Sequence, residues 1–212
     1  MRNIFLSAII LCVLASCTAS KKSTSAGWIS LFDGTSLTGW NASENPSTFS
    51  VDSGMIIVHG PRAHLFYNGP VQHGDFKNFE FKTQVMTTPG SNSGIYFHSV
   101  YQDSSWPQKG FEVQVNNSHT DWKRTGGLYD IQDVREVYAK DDVWFTEYIR
   151  VEGKHVIIKI NDRVVTDWTQ PDGFVPPEGH RNRIIANGTF ALQGHDPKSI
   201  VFFKDIMVKP LP

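Results

Sequence analysis

The sequence predicts an all-β protein, a sandwich or barrel of short antiparallel strands, on three observations. Many short segments alternate apolar and polar residues, the pattern of a strand with two unlike faces. Clusters of Gly, Pro, Asn and Asp punctuate them at short intervals. No stretch after residue 17 sustains the helical period of about 3.6 residues.

Residues 1–16 read as a targeting segment and stand outside the fold. Arg2 supplies the positive start and residues 4–14 the apolar run, too short to span a bilayer. The run ends in Leu14-Ala15-Ser16-Cys17, which resembles a bacterial lipobox, so Cys17 is expected to carry lipid and become the mature N-terminus. An ordinary signal peptide with an incidental Cys is the rival. Residues 17–26 read as a tether, and 27–212 as one domain of about 185 residues, enough for a single sizeable core. The expected location is the outer membrane, lipid-anchored, on the periplasmic side or the cell surface. The chain has two Cys, Cys12 and Cys17, so the mature domain is expected to stand without a disulfide.

Within the domain, residues 28–32 open a strand and Asp33-Gly34 turns it. Residues 48–51 and 55–59 are bracketed by Asn45-Pro46 and Asp52-Ser53-Gly54. Residues 77–85 alternate clearly, and Pro89-Gly90-Ser91-Asn92 turns the chain into 93–100. After a loop at 101–109 comes the strand at 110–116, followed by polar loop 117–124. Strands at 144–151 and 155–160 join through Glu152-Gly153-Lys154, a hairpin signal, and Asn161-Asp162 turns into 163–168. The prolines and glycines of 171–183 make a long surface loop; 189–193 and 200–208 close the domain. The first and last strands are expected to pair.

Composition excludes some functions. Net charge is −1 with no basic stripe, so nucleic acid is not an expected partner. There is no phosphate-binding Gly-rich loop, nucleophile elbow or dinucleotide fingerprint, so no redox cofactor is expected. His59, His64 and His73 match no tight zinc spacing, and no metal site is assigned, although a divalent ion is left open. Six Trp and six Tyr suit sugar stacking but equally a large β core.

Chemistry concentrates on Gly110–Asn116. Phe111, Val113 and Val115 point toward a core; Glu112, Gln114 and Asn116 form a polar row on the other face, facing solvent. A carboxylate among amides offers the donors and acceptors that sugar hydroxyls need.

Six segments resemble, in order, the 3-keto-disaccharide hydrolase domain family: 31–40, Asn92–Phe97, Gly110–Val115, Thr125–Tyr129, Leu192–His195 and 201–206. This resemblance implies a concanavalin A-like jelly roll of two antiparallel sheets, one curved around a carbohydrate groove. It implies action on glycosides oxidised at C3, hence an oxidised mono- or disaccharide derivative as substrate and an upstream sugar-oxidising dehydrogenase as pathway partner. The chain departs from the family pattern at His98, often Arg, at Asp130, often Gly, and at Asn116-Asn117.

A ketone at C3 acidifies the C2 proton. A base removes it, the electron pair delocalises onto the ketone oxygen, and the C1 substituent leaves; water can then add to the enone. Conventional hydrolysis needs two facing carboxylates, and the row holds one. Glu112 is the expected base or acid, with a purely hydrogen-bonding role as the rival. His195 is a base, acid or metal ligand, or a structural His. Gln114, Tyr129, Asn92, His98 and Asn116 are the expected substrate-binding residues. An Asx turn competes for Asn92, and core packing or structure for Tyr129 and His98. Three functions stay open: cleavage of 3-keto-glycosides as hydrolase or lyase, carbohydrate binding without turnover, and conventional glycoside hydrolysis.

Overall fold

The computed structural model describes residues 27–212, so the expected signal segment, the lipidated Cys17 and the tether lie outside the described residues. Thirteen strands follow in order: β1 (Ile29–Ser30), β2 (Trp40–Ala42), β3 (Phe49–Asp52), β4 (Met55–His59), β5 (Ala63–Tyr67), β6 (Phe79–Thr87), β7 (Ser93–Ser99), β8 (Phe111–Val115), β9 (Phe145–Glu152), β10 (His155–Ile160), β11 (Arg163–Thr169), β12 (Thr189–Gly194) and β13 (Ile200–Pro210). They build an all-β sandwich of two antiparallel sheets. An eight-stranded sheet runs β11-β10-β9-β6-β13-β4-β3 with β1 on β13; a five-stranded sheet runs β2-β5-β12-β7-β8.

The alternation seen in the sequence becomes alternating burial along β6, β9 and β10. Their inward residues, among them Phe79, Phe81, Ile149 and Val151, meet Phe97, Phe111, Phe190 and Leu192 from the smaller sheet. Phe190 sits at the centre, with ring centroids 4.7 Å from Phe76, 4.8 Å from Phe79 and 4.7 Å from Phe81. Each such ring contributes about 1.5–3 kcal/mol by leaving water. The ends pair as expected: Ile29 faces Val208, and the Leu31 amide donates to the Ile206 carbonyl at 2.9 Å. The β9–β10 hairpin turns at Gly153, whose φ of 58° glycine adopts without strain.

Two strands escape the pattern, β2 and β5. β5 reads Ala-His-Leu-Phe-Tyr and is buried at every position, so no polar alternation marks it, yet it is central to the smaller sheet. Strands β7, β8 and β12 are likewise buried on both faces. Loops 101–109, 116–144 and 171–188 account for this by covering the outer face of that sheet.

On β9 one inward position breaks the apolar rule. Glu147 on β9 points between Phe145 and Ile149 into the sandwich and faces the buried Thr83 and Ile160 across the ladder. Neither carboxylate oxygen has a hydrogen-bond partner among the described residues. Burial pushes its carboxyl well above 4.5, so it is held uncharged.

Candidate active site

The outer face of the five-stranded sheet carries the polar side chains. Register places Tyr96 opposite Glu112 and Gly94 opposite Gln114 between β7 and β8, and His64 opposite Gln193 between β5 and β12. Above them opens a cavity of about 280 Å³, lined among others by Asn92, Glu112, Gln114, Tyr129 and His195. Five of the seven residues singled out from the sequence therefore converge.

Glu112 is the most constrained of them. It is 5 % exposed, not solvent-facing as the strand pattern suggested, because Tyr129, Arg183 and Trp106 come over the sheet from the loops. The Tyr96 hydroxyl donates to Oε2 at 2.8 Å and Gln193 Nε2 donates to Oε1 at 2.8 Å. Arg183 brings Nη2 to 3.9 Å from Oε2. Burial outweighs these three partners and raises the carboxyl above 4.5, towards the protonated form. The side chain lies across the β7 backbone only because position 94 is glycine: a Cβ there would come 2.5 Å from Oε1.

His195 follows the last residue of β12 and is 31 % exposed. Its Nδ1 meets Asp196 Oδ2 at 2.8 Å, which leaves Nε2 for the cavity. Asp196 in turn accepts from Ser199 Oγ at 2.8 Å and from the Lys198 amide at 2.8 Å. Burial pushes the Asp196 carboxyl up, but these hydrogen bonds prevail and hold it down at about 2, so it stays ionised behind the imidazole.

Tyr129 reaches the site because the Thr125–Tyr129 segment adds itself to the free edge of β8. The Gln114 amide donates to Gly127 O and the Tyr129 amide to Glu112 O, both at 2.9 Å. Two cations flank its ring, Lys123 Nζ at 3.6 Å and the Arg183 guanidinium at 5.1 Å from the centroid. Arg183 is anchored by a hydrogen bond to the Tyr129 carbonyl, and Lys123 by ion pairs to Asp130 and Asp133. At the other end, Gln114 donates from Nε2 to Asn92 Oδ1 at 2.7 Å, so the Asn92 side chain pairs with an amide.

Two residues expected at the site lie elsewhere. The ladder between β7 and β12 slips by one residue, since Thr189 faces Ser99 while Ala191 faces Tyr96. His98 takes φ 54° at this bulge and leaves the face of Tyr96. Its ring packs 5.8 Å from Phe79 and 5.2 Å from Phe97, Nε2 donates to Lys77 O at 2.9 Å, and Nδ1 accepts from the Ala186 amide at 3.3 Å. Burial lowers it to about 4, a neutral structural imidazole. Asn116 falls just past the end of β8, where the alternation stops. Its amide donates to Asp121 O and Lys123 O and accepts from the His119 amide, tying the 116–124 loop rather than lining the cavity.

The sequence reading did not single out Arg183, Gln193, Tyr96, Trp106, Asp121 or Asp196 as site residues, and all but Asp196 line the cavity. Strand alternation could have suggested Gln193 and Tyr96; nothing local marks Arg183, which arrives from the long 171–188 loop. Among the described residues, His119, His195 and Asp196 bring ligand atoms within 4.8 Å of one another, a donor set suited to a divalent transition ion. His64 is the other unusual imidazole: it is fully buried, and neither nitrogen has a hydrogen-bond partner among the described residues. Desolvation lowers it to about 3.

Fold and cavity together define a β-sandwich with an acid–imidazole pocket on the outer face of its smaller sheet. Residues 27–209 match the 3-keto-alpha-glucoside-1,2-lyase-like domain, and the chain belongs to that family. A Bacteroides thetaiotaomicron protein named 3-keto-disaccharide hydrolase is 31 % identical over 179 residues, covering 68 % of this chain; the chain spans 60 % of that relative's length. A Parabacteroides distasonis crystal structure, assigned provisionally to the glycosyl hydrolases, superposes with a TM-score of 0.73 at 20 % identity over 88 % of this chain and 94 % of that one. Carbohydrate binding module CBM66 from Bacillus subtilis superposes with a TM-score of 0.57 at 12 % identity over 81 % of this chain and 95 % of its own. At these identities the two structures speak for the shared sandwich.

Proposed function

We propose that the domain cleaves 3-keto-glycosides, with His195 and Glu112 as its base and acid. The observation carrying this reading is that one cavity holds both an imidazole bonded to a carboxylate and a buried carboxyl. His195 is backed by an ionised Asp196, which suits Nε2 to take the C2 proton. Glu112 is buried and pushed toward its protonated form, which suits it to protonate the departing C1 oxygen. As the C2–H bond breaks, its electron pair forms the C2–C3 double bond and charge passes to the ketone oxygen. The double bond then shifts to C1–C2 as the C1–O bond breaks. Arg183 and the Tyr129 hydroxyl are the donors for the transient enolate. Asn92 and Gln114 are suited to bind ring hydroxyls.

Release of chromophore from a chromogenic 3-keto-glucoside but not from the unoxidised glucoside, lost in Glu112→Gln and in His195→Ala, is the expected result. Binding of both sugars without release would make it a carbohydrate-binding module. A 2-hydroxy-glucal product would mark a lyase, and the hydrated sugar a hydrolase. Asp121 gives conventional hydrolysis one specific point in its favour, because it supplies a second carboxylate to the cavity. Cleavage of the unoxidised glucoside, abolished by Asp121→Asn, would establish that second reading. With the first reading go a lipid anchor at Cys17, residence at the outer membrane, and a separate dehydrogenase that oxidises the sugar at C3.

A further inference from the structure

The face of the sandwich opposite the cavity carries a pattern that the proposed chemistry does not use. On the outward side of the larger sheet, lysines lie against aromatic rings. Lys82 Nζ is 4.2 Å from the Trp28 ring centroid, Lys204 Nζ 3.9 Å from that of Trp144 and Lys159 Nζ 5.3 Å from that of Tyr148. Register makes these pairs one surface. Lys159 faces Tyr148 and Tyr148 faces Lys82 across β10, β9 and β6, while Lys204 faces Gln84, two residues along β6 from Lys82. Beside them a half-buried apolar row, Met86, Phe202 and Ile57, crosses β6, β13 and β4. Two acids of the same sheet, Glu80 and Glu152, are engaged by two other cations, Lys209 and Arg150. The described chain also enters here: a Cβ at Gly27 would lie 3.7 Å from the Lys209 side chain, and Trp28 follows it onto Lys82.

We propose that this face docks on the anionic phospholipid headgroups of the membrane that the lipid anchor enters. The proposal rests on the Cys17 anchor of the reading above, which brings this face to the bilayer. Ten chain steps separate Cys17 from Gly27, a reach of at most about 35 Å when fully extended. That is less than the roughly 40 Å breadth of a domain this size. The domain therefore cannot turn its cavity to the bilayer without winding the tether around its own edge, and the cavity stays open to soluble sugar. The side chains fit such an occupant. Lysine stems lie along apolar surface while their ammonium groups reach phosphate, and Trp and Tyr rings settle where one end is apolar and the other wet. A second copy of the chain is the poorer occupant, because a twofold contact would set these lysines against their own images.

The test uses the unlipidated mature chain, residues 17–212 with Cys17→Ser, so that binding reports the face alone. It is expected to float with vesicles of phosphatidylethanolamine and phosphatidylglycerol at least about tenfold more tightly than with phosphatidylcholine vesicles, and to be released as salt rises to about 0.5 M. Lys82→Ala/Lys204→Ala is expected to weaken that binding at least about tenfold. Lys82→Arg/Lys204→Arg should retain it, as should Lys109→Ala, on the loop over the opposite face. Brominated phospholipid is expected to quench tryptophan fluorescence on binding, and Trp28→Phe/Trp144→Phe to lose most of that quenching. Equal binding to both kinds of vesicle, binding unchanged by the double alanine substitution, or a dimer that forms without vesicle binding would overturn the proposal. If the wild-type chain takes up no labelled palmitate at Cys17 while the vesicle preference holds, the anchor reading fails and the docking face stands. Palmitate on Cys17 with no vesicle binding by the unlipidated chain keeps the anchor and removes the face.

Discussion

Two buried glutamates, one on each sheet, are handled in opposite ways. Glu147 points into the apolar sandwich with neither oxygen bonded among the described residues, and burial alone sets its protonation. Glu112 is as deeply covered, yet Tyr96, Gln193 and Arg183 surround it and work against that same burial. The first is an inert acid that costs stability. The second is pushed toward its neutral form by burial while three donors work against that push, a perturbed carboxyl of the kind that marks functional sites. Burial by itself makes a carboxyl neutral; the surrounding donors make it usable.

That contrast can be broken most sharply at Glu112. Glu112→Gln is expected to lower turnover of a 3-keto-glucoside by roughly a hundred- to ten-thousandfold with little change in melting temperature, read by chromophore release. Gly94→Ala attacks the same group without touching it. The added methyl displaces the carboxylate from β7, and a loss of about a hundredfold in kcat is expected, with the Glu112 side chain shifted in a crystal structure of the variant. His98→Phe tests the residue that left the site: stability is expected to drop by about 1–3 kcal/mol as Lys77 O loses its donor, with kcat/KM per folded molecule unchanged.

Glu147→Met should have the smallest effect and the opposite sign, raising stability by about 1 kcal/mol at pH 8 in denaturant titrations. Its pH dependence sharpens the comparison further. Glu147's folded pKa lies well above the ordinary 4.5, so the native state binds the proton more tightly than the unfolded chain. Stability therefore falls as pH rises above 4.5 toward the elevated folded value, and the Met variant should lose that part of the slope. An unchanged slope would mean that Glu147 has a partner in solution.

Alternation made β6, β8, β9 and β10 legible because each has an inward apolar face, and the turn residues placed their ends to within about two positions. β5 was illegible for the converse reason: loops bury its outer face as deeply as its inner one, so His64 and Phe66 do not read as a polar side. Local pattern likewise put Glu112 and Gln114 on one face but could not foresee the bulge that turns His98 inward, because a ladder slip depends on the neighbouring strand.

The sequence by itself determined an all-β domain of short antiparallel strands and the row in which Glu112 and Gln114 lie, since these follow from periodicity and turn chemistry along the chain. The choice of a two-sheet sandwich came from the family resemblance, and the pairing of the first and last strands was an expectation that the ladder between β1 and β13 met. Only the tertiary structure decided that Arg183 and Trp106 close over that row, that Asp196 backs His195, and that His98 and Asn116 stand apart. Contacts between segments tens of residues apart depend on how loops cross a sheet, and no local period encodes that path.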